Sequence, residues 1–208
     1  VKIIDMRIAL ISNDLLHNEL LERIKNVEWI RINALEEWSL HPSAAALFVL
    51  DENAILGDYS LIKKPVLIHS VVETLEAYHH PDNVVRINAW PGFLDRNHWE
   101  VSGTHQNFHK EFEAEAAVKL NWIPDEPGFV TARAIAMIIN EAYFAKAEGV
   151  SESADIDIAL KLGTNYPWGP FEWAKKIGEK NILALLKKLS ERDTIYQPCA
   201  ELEKSARA

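Results

Sequence analysis

Gly163-Thr164-Asn165-Tyr166-Pro167-Trp168-Gly169-Pro170-Phe171-Glu172 reads as a tight connection leading into a helix. Gly163 and Gly169 relieve turns that a side chain would strain. Pro167 and Pro170 fix backbone angles, and proline suits the first turn of a helix, so Pro170 to Ile177 is expected to be helical. Tyr166, Trp168, Phe171 and the nearby Trp173 supply packing area. Upstream, Ser151 and Ser153 offer caps for a helix carrying Ile156, Ile158, Ala159 and Leu162. Phe129 to Gly149 is a long amphipathic segment that closes on a glycine. Downstream, Asn181 to Leu189 is a further helix. Asn121 to Gly128, with two prolines and a glycine, reads as a linker. From Phe129 onward the chain reads as almost entirely helical.

Ahead of the linker the pattern differs. Arg7-Ile8-Ala9-Leu10-Ile11-Ser12 is a short apolar run of the kind a buried parallel strand needs. Asn13 and Asp14 can cap a helix, and Leu15, Leu16, Leu20, Leu21 and Ile24 then recur at helical spacing. Val27–Ile32, Ala45–Leu50, Pro65–Ile68 and Val84–Ile87 read as four more strands. Phe108 to Leu120 is helical in pattern. Short strands separated by helical pieces predict an α/β layered domain with a mainly parallel sheet.

Composition narrows the function classes. Of 208 residues 31 are acidic and 22 basic, a net charge of −9. That disfavours nucleic acid and anionic membranes, whose phosphates need a basic face. No apolar run reaches the length of a membrane span, and no basic stretch leads into an apolar leader core, so the expectation is a cytoplasmic protein. The lone Cys199 forms no internal disulfide and reads as inert. His79 and His80 lack a third metal ligand at suitable spacing. His105 and His109 lack the glutamate of a His-Glu-x-x-His pattern and read as solvated.

The ordered set Pro127-Gly128-Phe129-Val130, Asn140-Glu141-Ala142, Ala154-Asp155-Ile156-Asp157, Gly163 through Glu172 and Tyr196-Gln197-Pro198 resembles the C-terminal domain of 3-hydroxyacyl-CoA dehydrogenases. That resemblance covers about half the chain. It implies a Rossmann-like α/β domain, here reduced and spanning residues 6–125, followed by an all-α domain spanning 126–208. It also implies NAD as cofactor, an acyl-CoA ligand and a homodimer formed through the helical domain. The Phe129 to Phe144 segment, with Trp168 and Trp173, has the apolar and aromatic content of such an interface.

The family's site residues carry over unevenly. Its glycine-rich turn, which brings backbone close to a pyrophosphate, falls on Ser12-Asn13-Asp14-Leu15, without a glycine. Its ribose-binding acidic residue falls on Asn33. NAD is therefore expected to bind weakly or not at all. Val84 through Val101 is similar to the family's catalytic stretch, with the catalytic histidine falling on Asn88 and its orienting glutamate on Glu100. An amide is no base near neutral pH. His98, two residues before Glu100, would share its face on a strand and is the substitute candidate, although a surface histidine is the simpler reading. Ser70 is the candidate for the family's site serine, or else a helix cap. A substrate-binding asparagine falls on Ala132, while the neighbouring Arg133 is kept. Two functions compete on this reading. One is a noncatalytic relative that keeps the scaffold and an acyl-CoA or structural role. The other is an active NAD-dependent 3-hydroxyacyl-CoA, or 3-hydroxybutyryl-CoA, dehydrogenase of fatty-acid metabolism.

Overall fold

In a computed structural model, which describes residues 6–51 and 56–207, the chain forms two compact units, Val1–Phe129 and Val130–Ala208. The expected class, an α/β domain followed by an all-α domain, is the one it adopts.

The α/β unit is built on strands β1 (Met6–Ile11), β2 (Val27–Arg31), β3 (Ala46–Val49), β4 (Val66–His69), β5 (Val84–Ile87), β6 (His98–Gly103) and β7 (Lys119–Trp122). Its helices are α1 (Asp14–Arg23), α2 (Leu75–Tyr78) and α3 (Asn107–Ala116). The sheet order is β2-β1-β3-β4-β5-β6-β7. Every pair is parallel except β5 with β6. Alternation along the strands separates two cores. Ile8, Leu10, Phe48, Leu67, Val85 and Ile87 face α1 and α3. Ala9, Ile11, Leu47, Val49, Val66, Ile68 and Val84 face the other way, against Tyr59 and Ile62. Asn13 caps α1 as expected, its side-chain oxygen accepting from Leu16 N–H at 3.0 Å.

Three local expectations are corrected. The helix expected over Phe108 to Leu120 ends at Ala116, because Ala117 turns left-handed (φ 52°), and Lys119–Trp122 pairs with β6 instead. Neither Ser151 nor Ser153 caps the next helix; Glu152 precedes it, without a side-chain cap. His109 is not solvated but fully buried. Its Nδ1 accepts the Gln106 N–H at 2.9 Å at the start of α3, and its ring meets Trp122 edge-on at 4.8 Å.

The helical unit comprises α4 (Thr131–Ala147), α5 (Ser153–Thr164), α6 (Pro170–Ile177), α7 (Glu179–Ser190) and α8 (Ala200–Ser205). Buried Ile139, Trp173, Ile182, Leu185, Leu186 and Leu202 fill its core. Asn140 clamps the approach to α8: its amide donates to Gln197 O at 2.9 Å and accepts from Cys199 N–H at 2.8 Å. Asp157, buried on α5, accepts from Phe171 N–H at 2.8 Å and so caps α6. It sits so close to Gly169 that a Cβ there would come within 2.3 Å of its carboxylate, which is why only glycine fits. No helix among the described residues is long and apolar enough to cross a membrane.

His109 makes stability depend on pH. Burial, with His105 beside it, pushes the imidazole down to about 4 from 6.5, and a proton on Nδ1 would break the α3 cap. The unfolded chain takes up this proton near pH 6.5 and the folded chain resists it, so the stabilisation is complete above 6.5 and drains as pH falls towards 4. Urea denaturation should show a loss of at most about 3 kcal/mol across that window. His109→Phe should flatten that part of the profile; an unchanged profile would exclude His109 as its source.

Candidate functional site

The residues picked out in the α/β unit gather where β4 and β5 end, the strand edge at which open α/β sheets bind ligands. Asn88 follows β5 and is 2% exposed. Its side-chain oxygen accepts from Trp90 N–H at 3.3 Å, which turns the amide nitrogen towards Glu100 Oε2 at 3.4 Å. The backbones are also joined, Asn88 N–H donating to Glu100 O at 3.2 Å. Antiparallel pairing of β5 with β6 therefore brings together two residues twelve apart in sequence. Glu100 is half-buried, and the Asn88 amide is one of its donors. Arg86 on β5 is engaged elsewhere. His98 lies on the same face of β6 as Glu100 and is exposed.

Ser70 is buried, and its hydroxyl donates to Glu73 O at 2.9 Å. It does not cap α2; Thr74 does, accepting from Ala77 N–H at 3.3 Å. The Ser70 carbonyl accepts from Arg86 Nε at 2.9 Å. Arg86 is fully buried on β5, on the face where Val84 meets the core. Its guanidinium pairs with Asp125, donates to Glu126 O at 3.3 Å, and lies 4.6 Å from the Phe129 ring. Asp125 also accepts from Leu75 N–H at 2.9 Å, capping α2. Burial pulls the Arg86 pKa down and Asp125 pulls it back.

His69 escaped the sequence reading. It is buried at the last position of β4, opposite Ile87, and its Nδ1 accepts from Ala89 N–H at 3.1 Å. The neutral ring then carries its proton on Nε2. Its place beside Ser70 was the available signal. Among the described residues no three potential ligands are grouped to hold a metal.

The turn after β1 carries no glycine and is crossed by an ion pair. Ser12 is buried, Asn13 takes the Leu16 N–H, and Asp14 puts its carboxylate on the first turn of α1. Arg31, at the end of β2, bridges to Asp14 at 2.7 Å and donates to Ser12 O at 3.1 Å. An internal ion pair thus stands at the helix end whose free N–H groups would hold a pyrophosphate. Asn33 is exposed. The helical half carries equal numbers of acidic and basic residues, so the net charge of −9 lies wholly in the α/β half. In the helical unit, Ala132 is buried in the first turn of α4, and the Arg133 guanidinium stands 5.9 Å over the Tyr196 ring.

Comparison with known proteins places these features. Residues 128–208 match the family model described as "3-hydroxyacyl-CoA dehydrogenase, C-terminal domain". The chain is 44% identical over 86 residues to 3-hydroxyadipyl-CoA dehydrogenase of Escherichia coli, covering 40% of this chain and 18% of that protein. It is 31% identical over 147 residues to 3-hydroxybutyryl-CoA dehydrogenase of Clostridioides difficile, covering 67% of this chain and 52% of the relative. The chain thus spans between about a fifth and a half of these curated relatives. The crystal structure of (S)-3-hydroxybutyryl-CoA dehydrogenase from Ralstonia eutropha superposes with a TM-score of 0.70 at 16% identity, over 96% of this chain and 93% of that one; at that identity the likeness is one of fold.

Breaking the Arg86–Asp125 pair should be costly. Asp125→Ala leaves a buried guanidinium without its counter-charge and uncaps α2, so urea denaturation should show a loss of about 3–5 kcal/mol. Glu100→Ala, at a half-buried site whose hydrogen bond from Asn88 is long at 3.4 Å, should lose only about 1 kcal/mol. Equal losses would contradict this ranking.

Proposed function

We propose, from the membership of this chain in the 3-hydroxyacyl-CoA dehydrogenase family, carried by residues 128–208, that it is a noncatalytic relative: a scaffold for an acyl-CoA ligand that has lost hydride transfer. The observation that carries the reading is the Asn88 amide donating to Glu100, in the place where the family resemblance puts a histidine and its orienting glutamate. Oxidising a secondary alcohol requires a group that takes its proton as hydride departs. An amide has no basic lone pair for that step. The Asp14–Arg31 pair across the first βα turn supports a second loss, that of the dinucleotide.

The helical half supports a homodimer. Helix α5 is inverted: it buries Asp157 and exposes Ile158 and Leu162, the latter 82% accessible. A groove of about 440 Å³ beside it is lined by Ile138, Ala142, Ala145, Val150, Ile156 and Ala159. An apolar face of this kind on a folded domain is a mark of association.

Two experiments test these readings. Calorimetry with NADH and with acetoacetyl-CoA should give binding of the thioester alone, and no NADH oxidation when both are present. Turnover at a rate ordinary for enzymes, roughly 1–10³ per second, would overturn the noncatalytic reading and make His98→Ala the next variant. Light scattering at micromolar concentration should give twice the chain mass of 23.6 kDa. Leu162→Glu should give a monomer, and a monomeric native chain would refute the dimer.

A further inference from the structure

The two edges of the sheet are finished differently. On β7, Lys119 N–H donates to Asn97 O at 2.7 Å and Ile123 N–H follows on to Val101 O at 3.0 Å, so the N–H groups of Leu120 and Trp122 face away from β6. Glu113 of α3 takes the Leu120 N–H at 2.7 Å, and the rings of His105 and His109 lie against Trp122. Side chains thus blunt this edge, as native sheets commonly require.

The other edge, β2, is open. It pairs only with β1, with Leu10 opposite Arg31. Ile32 N–H donates to Leu10 O at 3.0 Å, so the backbone groups of Glu28, Ile30 and Ile32 face β1, and those of Val27, Trp29 and Arg31 face away. None of the outward groups has a hydrogen-bond partner among the described residues. Val27-Glu28-Trp29-Ile30-Arg31 holds no proline, lysine or glycine, the residues that would spoil a strand as a template. The Trp29 ring, edge-on to Phe48 at 5.3 Å, holds the strand in its register.

Charge selects the partner. The 3-10 turn Leu35–Leu40 follows β2, and its Leu35 and Trp38 pack against the same core as Ile30 of β2. This turn carries Glu36 and Glu37 and no lysine or arginine. Neither glutamate forms an ion pair among the described residues. The charges of β2 are already matched, Glu28 with Arg7 and Arg31 with Asp14. Unbalanced negative charge therefore borders the open edge, in the half that holds the whole net charge of −9. A second copy of this chain would bring that same charge with it, whereas a basic segment is attracted.

We propose that the β2 edge docks an extended basic segment of another protein. The segment adds a strand to the sheet through the backbone of Val27, Trp29 and Arg31, and its cationic side chains meet Glu36 and Glu37. The strand ends that carry Asn88 take no part, so this surface stands or falls apart from the acyl-CoA reading.

The probe is a capped peptide of alternating lysine and valine. One control replaces each lysine by glutamate, and a second keeps the lysines but places proline at the central valine, which forbids a strand at unchanged charge. Amide hydrogen exchange of the full chain, followed by NMR, supplies the readout. In the free chain the Trp29 amide should exchange faster than those of Glu28 and Ile30, which β1 already holds. The lysine peptide should bind saturably and slow Trp29 by about tenfold or more, leaving Glu28 and Ile30 unchanged. Glu36→Lys, at an exposed position, should weaken that binding by about threefold at low salt. Protection of Trp29 that grows with protein concentration alone would give the edge to a second copy and overturn the proposal. Equal binding of either control, or native affinity in Glu36→Lys, would overturn it as well.

Discussion

A guanidinium buried in the middle of a sheet must be answered, and the α/β unit is arranged around that answer. Arg86 sits on β5 at a position whose face otherwise meets apolar core. A charge removed from water is tolerated only with a counter-charge and filled hydrogen bonds. Asp125 supplies the first, and the carbonyls of Ser70 and Glu126 supply the second. The same carboxylate caps α2 through Leu75 and stands 3.5 Å from the Ser102 hydroxyl of β6. One ion pair therefore fixes the ends of β4 and β5, the start of α2, and the segment that leaves β7. Ser70 and Asn88 lie inside this frame, so their positions follow from it.

Within this frame an amide stands beside a carboxylate. A histidine and a carboxylate make a base with an orienter. An asparagine and a carboxylate make a hydrogen bond that holds two strands in register. On the noncatalytic reading proposed above, the Asn88–Glu100 contact keeps the geometry of such a pair without its proton transfer. At the other end of the sheet order, Arg31 and Asp14 close on one another across the first turn. Both are interactions within the protein. The concentration of negative charge in the same half works in the same direction, because a dinucleotide brings phosphates.

The helical half depends on different physics. Its side-chain clamps are short-range caps: Asp157 on the α6 start, Glu172 on the Gly169 N–H at 2.9 Å, and Asn140 on the approach to α8. The polar residues that the unit buries serve its own backbone, which leaves α5 to face outward with isoleucine and leucine.

Much of this was legible in the sequence. The helices after residue 129 followed from spacing, from Pro170 at a helix start and from the glycine at 169, because capping and turn geometry are local. The five apolar runs marked the parallel strands, and the missing glycines after β1 were plain from composition alone. The family resemblance singled out Asn88 and Glu100, and the hydrogen bond between them came only with the fold. What only the tertiary structure decided were the features made by partners far apart in the chain. Lys119 and Leu120 read as the end of a helix, and Asn121 and Trp122 as linker, until β6 offers them a ladder. His109 reads as solvated until Trp122 covers it. His69 reads as nothing in particular until Ala89 N–H meets its ring. Arg86 and Asp125 are 39 residues apart, and no local pattern records that one neutralises the other. Local backbone preference is written residue by residue, whereas burial and charge pairing exist only once the chain has closed on itself.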